Sequence, residues 1–89
     1  MFPKSKALKT ERDFSHVIEI VVPGQGFDIQ ISREIELFHR LRDIRPHYGR
    51  PSTRNDQHYC RYCFADPTTA EAFREQFGGA PVMDKLHAS

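Results

Sequence analysis

One run of the sequence constrains the fold more than any other: a strand that passes through Asp-Pro into a helix and stops at Gly-Gly. From Gln57 to Ala65 the chain sets Tyr59, Cys60, Tyr62, Cys63 and Phe64 in close order, a composition that suits a pleated, packed surface. Asp66 follows, where a carboxylate can accept from the unpaired amides of a first helical turn. Pro67 stands next, at the position where a missing amide costs nothing. Ala70, Phe73 and Phe77 then recur on one helical face, and Gly78-Gly79 suit a left-handed stop. A strand delivered this abruptly into an amphipathic helix has to pack the helix back onto its own sheet, so the fold class is α+β.

Upstream, His16 to Val22 is rich in Val and Ile with one charge, Glu19, and reads as a central strand. Pro23-Gly24-Gln25-Gly26 ends it in a turn. Residues 28–43 are expected as a helix carrying Ile31, Ile35, Phe38 and Leu41, capped by Asp28 or Ser32; the alternative is a short strand over 27–31 with the helix starting at Ser32. Ile44 to Gly49 reads as an edge strand, held to the edge by Pro46. Arg50 to Asp56 reads as a polar loop, and Pro81-Val82-Met83 as a further short edge strand. This order predicts a ferredoxin-like (split βαβ) antiparallel sheet with two helices on one face. The other face is left open to water, a ligand or a second copy. Residues 1–13, with Lys4, Lys6, Lys9 and Arg12, are expected as a flexible basic arm, 14–83 as a single α+β domain and 84–89 as a tail.

Size limits the core. A chain of 89 residues buries only about 60–65% of its unfolded surface, and its two cysteines make no disulfide framework. Homodimerisation is the expected way to gain further burial. No apolar run approaches the roughly 20 residues needed to cross a bilayer, and no signal segment is visible, so a cytoplasmic location and no membrane partner are expected.

The formal net charge of +1 hides a strong asymmetry. Residues 13–38 hold five acids against Arg33, whereas residues 39–61 hold six arginines against Asp43 and Asp56. Arg45, Arg50, Arg54 and Arg61, interleaved with Tyr48 and Tyr59, are the candidate residues for a protein or other anionic partner. The same arginines with Tyr48, Tyr59 and Tyr62 could neutralise phosphates and stack on bases, which makes a nucleic-acid-binding domain the alternative. Pairing of the arginines with the acidic segment is the structural reading of the same pattern.

His58, Cys60 and Cys63 form the one metal-like spacing. In a strand His58 and Cys60 share a face and Cys63 takes the other, so no metal is expected; if the strand reading fails, these three are the ligands. No cofactor motif is present: the glycine turn lacks the Lys-Ser/Thr of a phosphate loop and the third glycine of a dinucleotide site. No nucleophile–base arrangement is visible, so no catalytic residue is assigned. A small cofactor-free enzyme of ferredoxin-like fold, using His39 or His58 in a pocket, is the third reading.

Two resemblances accompany these readings. Residues 59–79, with Ile18 to Pro23 and Phe38-His39-Arg40, resemble small bacterial α+β proteins of unassigned function over about residues 16–79. Phe64, Asp66 and Ala70 also resemble the strand–turn–helix of RNA-recognition-motif domains. There the stacking aromatics would fall at Tyr59 and at position 61, which is arginine here. The function expected from the sequence is a small non-enzymatic binding or regulatory module, acting through the Arg/His-rich middle segment.

Overall fold

The computed structural model describes residues 9–82. Residues 9–13 are helical (α1), followed by β1 (His16–Val22), α2 (Ile29–Leu41), β2 (Ser52–Arg54), β3 (Gln57–Phe64), α3 (Pro67–Phe77) and β4 (Ala80–Pro81). The strands make one antiparallel sheet in the order β2-β3-β1-β4. The chain is therefore α+β, with β3 lying between β1 and β2, and β1 lying between β3 and β4.

Register decides which side chains meet. Ile18 pairs with Tyr62, Ile20 with Cys60 and His16 with Phe64. Ile18, Ile20, Tyr62 and Phe64 form the core with Ile35 and Phe38 of α2 and Ala70 and Phe73 of α3. Phe73 is 0% exposed. Its ring lies 5.3 Å from Phe38, 5.0 Å from Tyr62, 5.2 Å from Phe64 and 4.8 Å from Phe77.

The helix starts obey their caps. The Asp28 carboxylate accepts from the Ile31 amide at 2.9 Å, and Asp66 accepts from the Thr69 amide at 2.9 Å. At the exit of α3, Gly79 has φ +98, and a Cβ there would stand 2.6 Å from the Glu19 carbonyl and 2.5 Å from Ile20 Cγ2. Glycine is needed at that point for close approach as well as for conformation.

Four expectations need correction. The helix of residues 29–41 buries His39 and exposes Leu41 by 73%, so its inner stripe passes through Ile31, Ile35, Phe38 and His39. The segment 44–49 contributes only a bridge between Tyr48 and Tyr62, and the paired strand falls in the expected polar loop. Asn55 and Asp56 both take positive φ, 51° and 65°. That is a two-residue turn of the hairpin type, which brings Arg54 opposite Gln57. Of the arm expected over 1–13, residues 1–8 lie outside the described residues, and residues 9–13 are helical. Finally, the sheet face away from α2 and α3 is not fully open. Glu11 bonds to Arg61 of β3, and Phe14 stacks on His47 at 3.9 Å. Of the short edge strand expected at 81–83, Pro81 pairs with Ile18 and Met83 lies outside the described residues.

Candidate functional site

Alternation along the strands sends Glu19 of β1 and Tyr59, Arg61 and Cys63 of β3 to the face away from the core helices, and Arg54 of β2 reaches across it. Glu19 lies directly opposite Arg61. Its carboxylate accepts from Arg61 Nε at 3.2 Å and from Arg54 Nη2 at 2.8 Å. Arg54 spans β3 to do this, and its guanidinium lies 4.0 Å over the Tyr59 ring, a cation–π contact.

A second carboxylate closes the ladder from above. Between the Tyr48–Tyr62 bridge and the Ser52–Tyr59 pair, the edge carries three residues against two on β3. The extra residue makes a bulge, which turns an amide out of the ladder. That amide, Arg50 N, donates to Glu11 Oε2 at 2.5 Å. Arg50 Nη2 and Arg61 Nη1 donate to Glu11 Oε1 at 3.0 and 3.1 Å. The result is an alternating chain, Arg50–Glu11–Arg61–Glu19–Arg54. The two carboxylates are 12% exposed and Arg61 17%, but Arg50 and Arg54 are 48% and 50% exposed. Burial alone would push the Glu11 carboxyl up; the hydrogen bonds from Arg50 and the charge of Arg61 outweigh it and hold it low. Glu19 is also held low, chiefly by its hydrogen bond from Arg54 and against some desolvation.

The six predicted site residues therefore divide. Arg50, Arg54, Arg61 and Tyr59 share the sheet face. Arg45 and Tyr48 lie elsewhere, on a groove of about 560 Å³ that His39, Tyr62 and Pro46 also line. Tyr62 is buried in the core and Tyr48 bridges to it, so the three tyrosines of the nucleic-acid reading do not form one stacking platform.

His39, named for the enzyme reading, sits in the core, a placement that the sequence reading did not foresee. It is almost fully buried, with Nδ1 donating to the Ile35 carbonyl at 2.8 Å and its ring stacked on Phe64. Burial lowers its pKa from the ordinary histidine value, against the pull of the Ile35 carbonyl and with smaller contributions from His47 and Arg42. Nε2 has no hydrogen-bond partner among the described residues. Its Nδ1 proton is committed to the helix backbone rather than to a carboxylate, so the base–orienter arrangement of a catalytic triad is not built here. The signal lay in its spacing, i+4 from Ile35 and next to Phe38.

His58, Cys60 and Cys63 do not converge. His58 bonds to Thr53 at 3.0 Å, Cys60 packs against the core, and Cys63 lies on the opposite face. Among the described residues no group of three or more His, Cys, Asp or Glu side chains is placed to hold a metal ion. Burial pushes both thiols up to about 11 from an ordinary 9.0, with Glu19 adding to the shift at Cys60 and Glu11 at Cys63. Two units mean about a hundredfold less thiolate at neutral pH. Alkylation of the native protein by iodoacetamide at pH 7.5 is therefore expected to lag free cysteine by a large factor and to catch up on unfolding. Rapid labelling of the native form would contradict the buried placement.

No helix among the described residues is long and apolar enough to cross a membrane. In comparisons with known proteins, no family model, no curated protein and no solved structure matches the chain.

Proposed function

We propose that this chain is a non-enzymatic binding module of ferredoxin-like, split βαβ fold that docks an acidic protein partner on its arginine-bearing sheet face. The interleaved strand order β2-β3-β1-β4 supports the fold assignment. The functional reading is carried by the ion-pair ladder. Three arginines meet two carboxylates within the ladder, an excess of one positive charge among these five described residues. Such a face has little long-range pull on a polyanion. It does offer half-exposed guanidiniums already held in place, one of them on a tyrosine ring. Arginine and tyrosine fixed in advance are the residue types that anchor protein interfaces, because little side-chain entropy is lost when the partner arrives.

The test is capture from native lysate by the wild-type chain and by Arg54→Ala, each with and without nuclease. The proposal expects a bound protein that survives nuclease and is lost with Arg54→Ala. Capture that disappears on nuclease treatment would transfer the face to nucleic acid.

A further inference from the structure

The surroundings of Glu11 form a complete carboxylate site. Its donors are the bulge amide of Arg50 at 2.5 Å, Arg50 Nη2 at 3.0 Å, Arg50 Nε at 3.3 Å and Arg61 Nη1 at 3.1 Å. Gly49 forms one wall. A Cβ there would stand 2.5 Å from Glu11 Oε2 and 2.7 Å from its Cγ, so a methyl group at this position and a carboxylate held in this pose compete for the same space. The occupant comes from the chain itself, on the helical turn that carries Glu11. Besides Glu11, it is tied down by the adjoining Phe14, whose ring stacks on His47.

Resting on the docking reading above, we propose that this cradle is the site for a side-chain carboxylate of the partner, and that α1 is a displaceable strap whose Glu11 holds the place in the free chain. Lifting the strap uncovers Arg61 and leaves the bulge amide of Arg50 needing an acceptor. An amide without an acceptor is costly to leave behind, so an incoming carboxylate is favoured over an apolar contact. A carboxylate fits better than a phosphate for two reasons. The donors grip two oxygens of a planar group, and Glu19, which shares Arg61 with Glu11, opposes a second negative charge at the same place.

The experiment uses the full-length chain, observed by backbone amide resonances. The probe is the acetylated, amidated peptide of residues 9–15. Added to Glu11→Gln, it is expected to shift the Arg50 and Arg61 amides saturably. Wild type should bind it about tenfold more weakly, because its own tethered carboxylate competes at roughly millimolar effective concentration. The same peptide with glutamine in place of its glutamate should not bind. Adding Gly49→Ala to the Glu11→Gln chain should abolish binding by filling the cradle. Inorganic phosphate should give no comparable shift. Equal binding of the glutamine peptide, phosphate binding as tight as the acidic peptide, or no saturable shift in a folded Glu11→Gln chain would each overturn the proposal. Should that variant not fold, the wild-type titration at higher peptide concentration decides, and no shift there overturns it too. If the peptide fails while Arg54-dependent capture persists, the strap is rejected and the docking face stands. If the peptide binds while capture depends on nucleic acid, the partner class is rejected and the cradle stands.

Discussion

Phe73→Ala is expected to cost about 3–5 kcal/mol, the range for truncating a fully buried aromatic. Phe73 stands where α2, α3 and the sheet meet, in ring contact with Phe38, Tyr62, Phe64 and Phe77 and near His39. Removing it takes away apolar area and leaves a cavity that two helices and a sheet cannot all close. Total stability in single domains is about 5–15 kcal/mol, so the variant should be near or past its limit at 37 °C. Urea unfolding at 25 °C measures the loss directly. A variant melting within a few degrees of wild type would mean that α3 does not pack in the register described.

The second large effect belongs to Arg61→Ala. Arg61 is the shared counter-ion of two carboxylates that are themselves little exposed. Exposed pairs are worth about 0–1 kcal/mol and broken buried pairs cost about 3–5. At this intermediate depth a loss of about 2 kcal/mol at neutral pH is expected on that scale. The pH dependence gives the mechanism its signature. Glu11 and Glu19 both titrate below their ordinary value of 4.5 in the folded chain. A carboxyl lowered in this way contributes stability that is fully present above its unfolded value and is lost as pH falls through its folded value. In Arg61→Ala both carboxyls lose a cation and titrate higher, so the acid loss should begin at higher pH. The gap between variant and wild type should also shrink in acid, once the carboxylates are protonated. An equal gap at pH 7 and in acid would assign the loss to packing of the arginine stem instead.

Local chemistry made most of the fold legible. Asp66-Pro67 and Gly78-Gly79 bound α3 as expected, and the β-branched run His16–Val22 is a central strand, paired on both edges. The misplaced edge strand came from weighing Pro46 and the apolar Ile44 above Asn55-Asp56. The turn residues were the better guide, because two left-handed positions in succession set a hairpin. At the site, strand alternation was enough to put Tyr59 and Arg61 on one face. Alternation also splits Tyr59 from Tyr62, a consequence that the list of basic and aromatic residues concealed. Glu11 could not be found in the same way. It is 39 residues from Arg50 and 50 from Arg61, and a bulge whose amide needs an acceptor is visible only once the register is known. His39 was hidden for another reason: a histidine surrounded by charges in sequence reads as surface, while helical spacing carries it into the core beside Phe38 and Phe64.

On the proposed reading, Glu11 and Glu19 neutralise most of the arginine cluster from within the chain, leaving a surface for a protein rather than for a polyanion. Titration of a fluorescent random-sequence single-stranded oligonucleotide at several salt concentrations tests it most directly. Each phosphate neutralised on a single strand adds about −0.7 to the log–log salt slope, so Arg45, Arg50, Arg54 and Arg61 acting together would give about −3. No submicromolar binding at physiological salt is expected, with a slope of magnitude about 1 or less, matching the one positive charge in excess within the ladder by that rule. Submicromolar binding with a slope near −3, weakened by Tyr59→Ala, would contradict it.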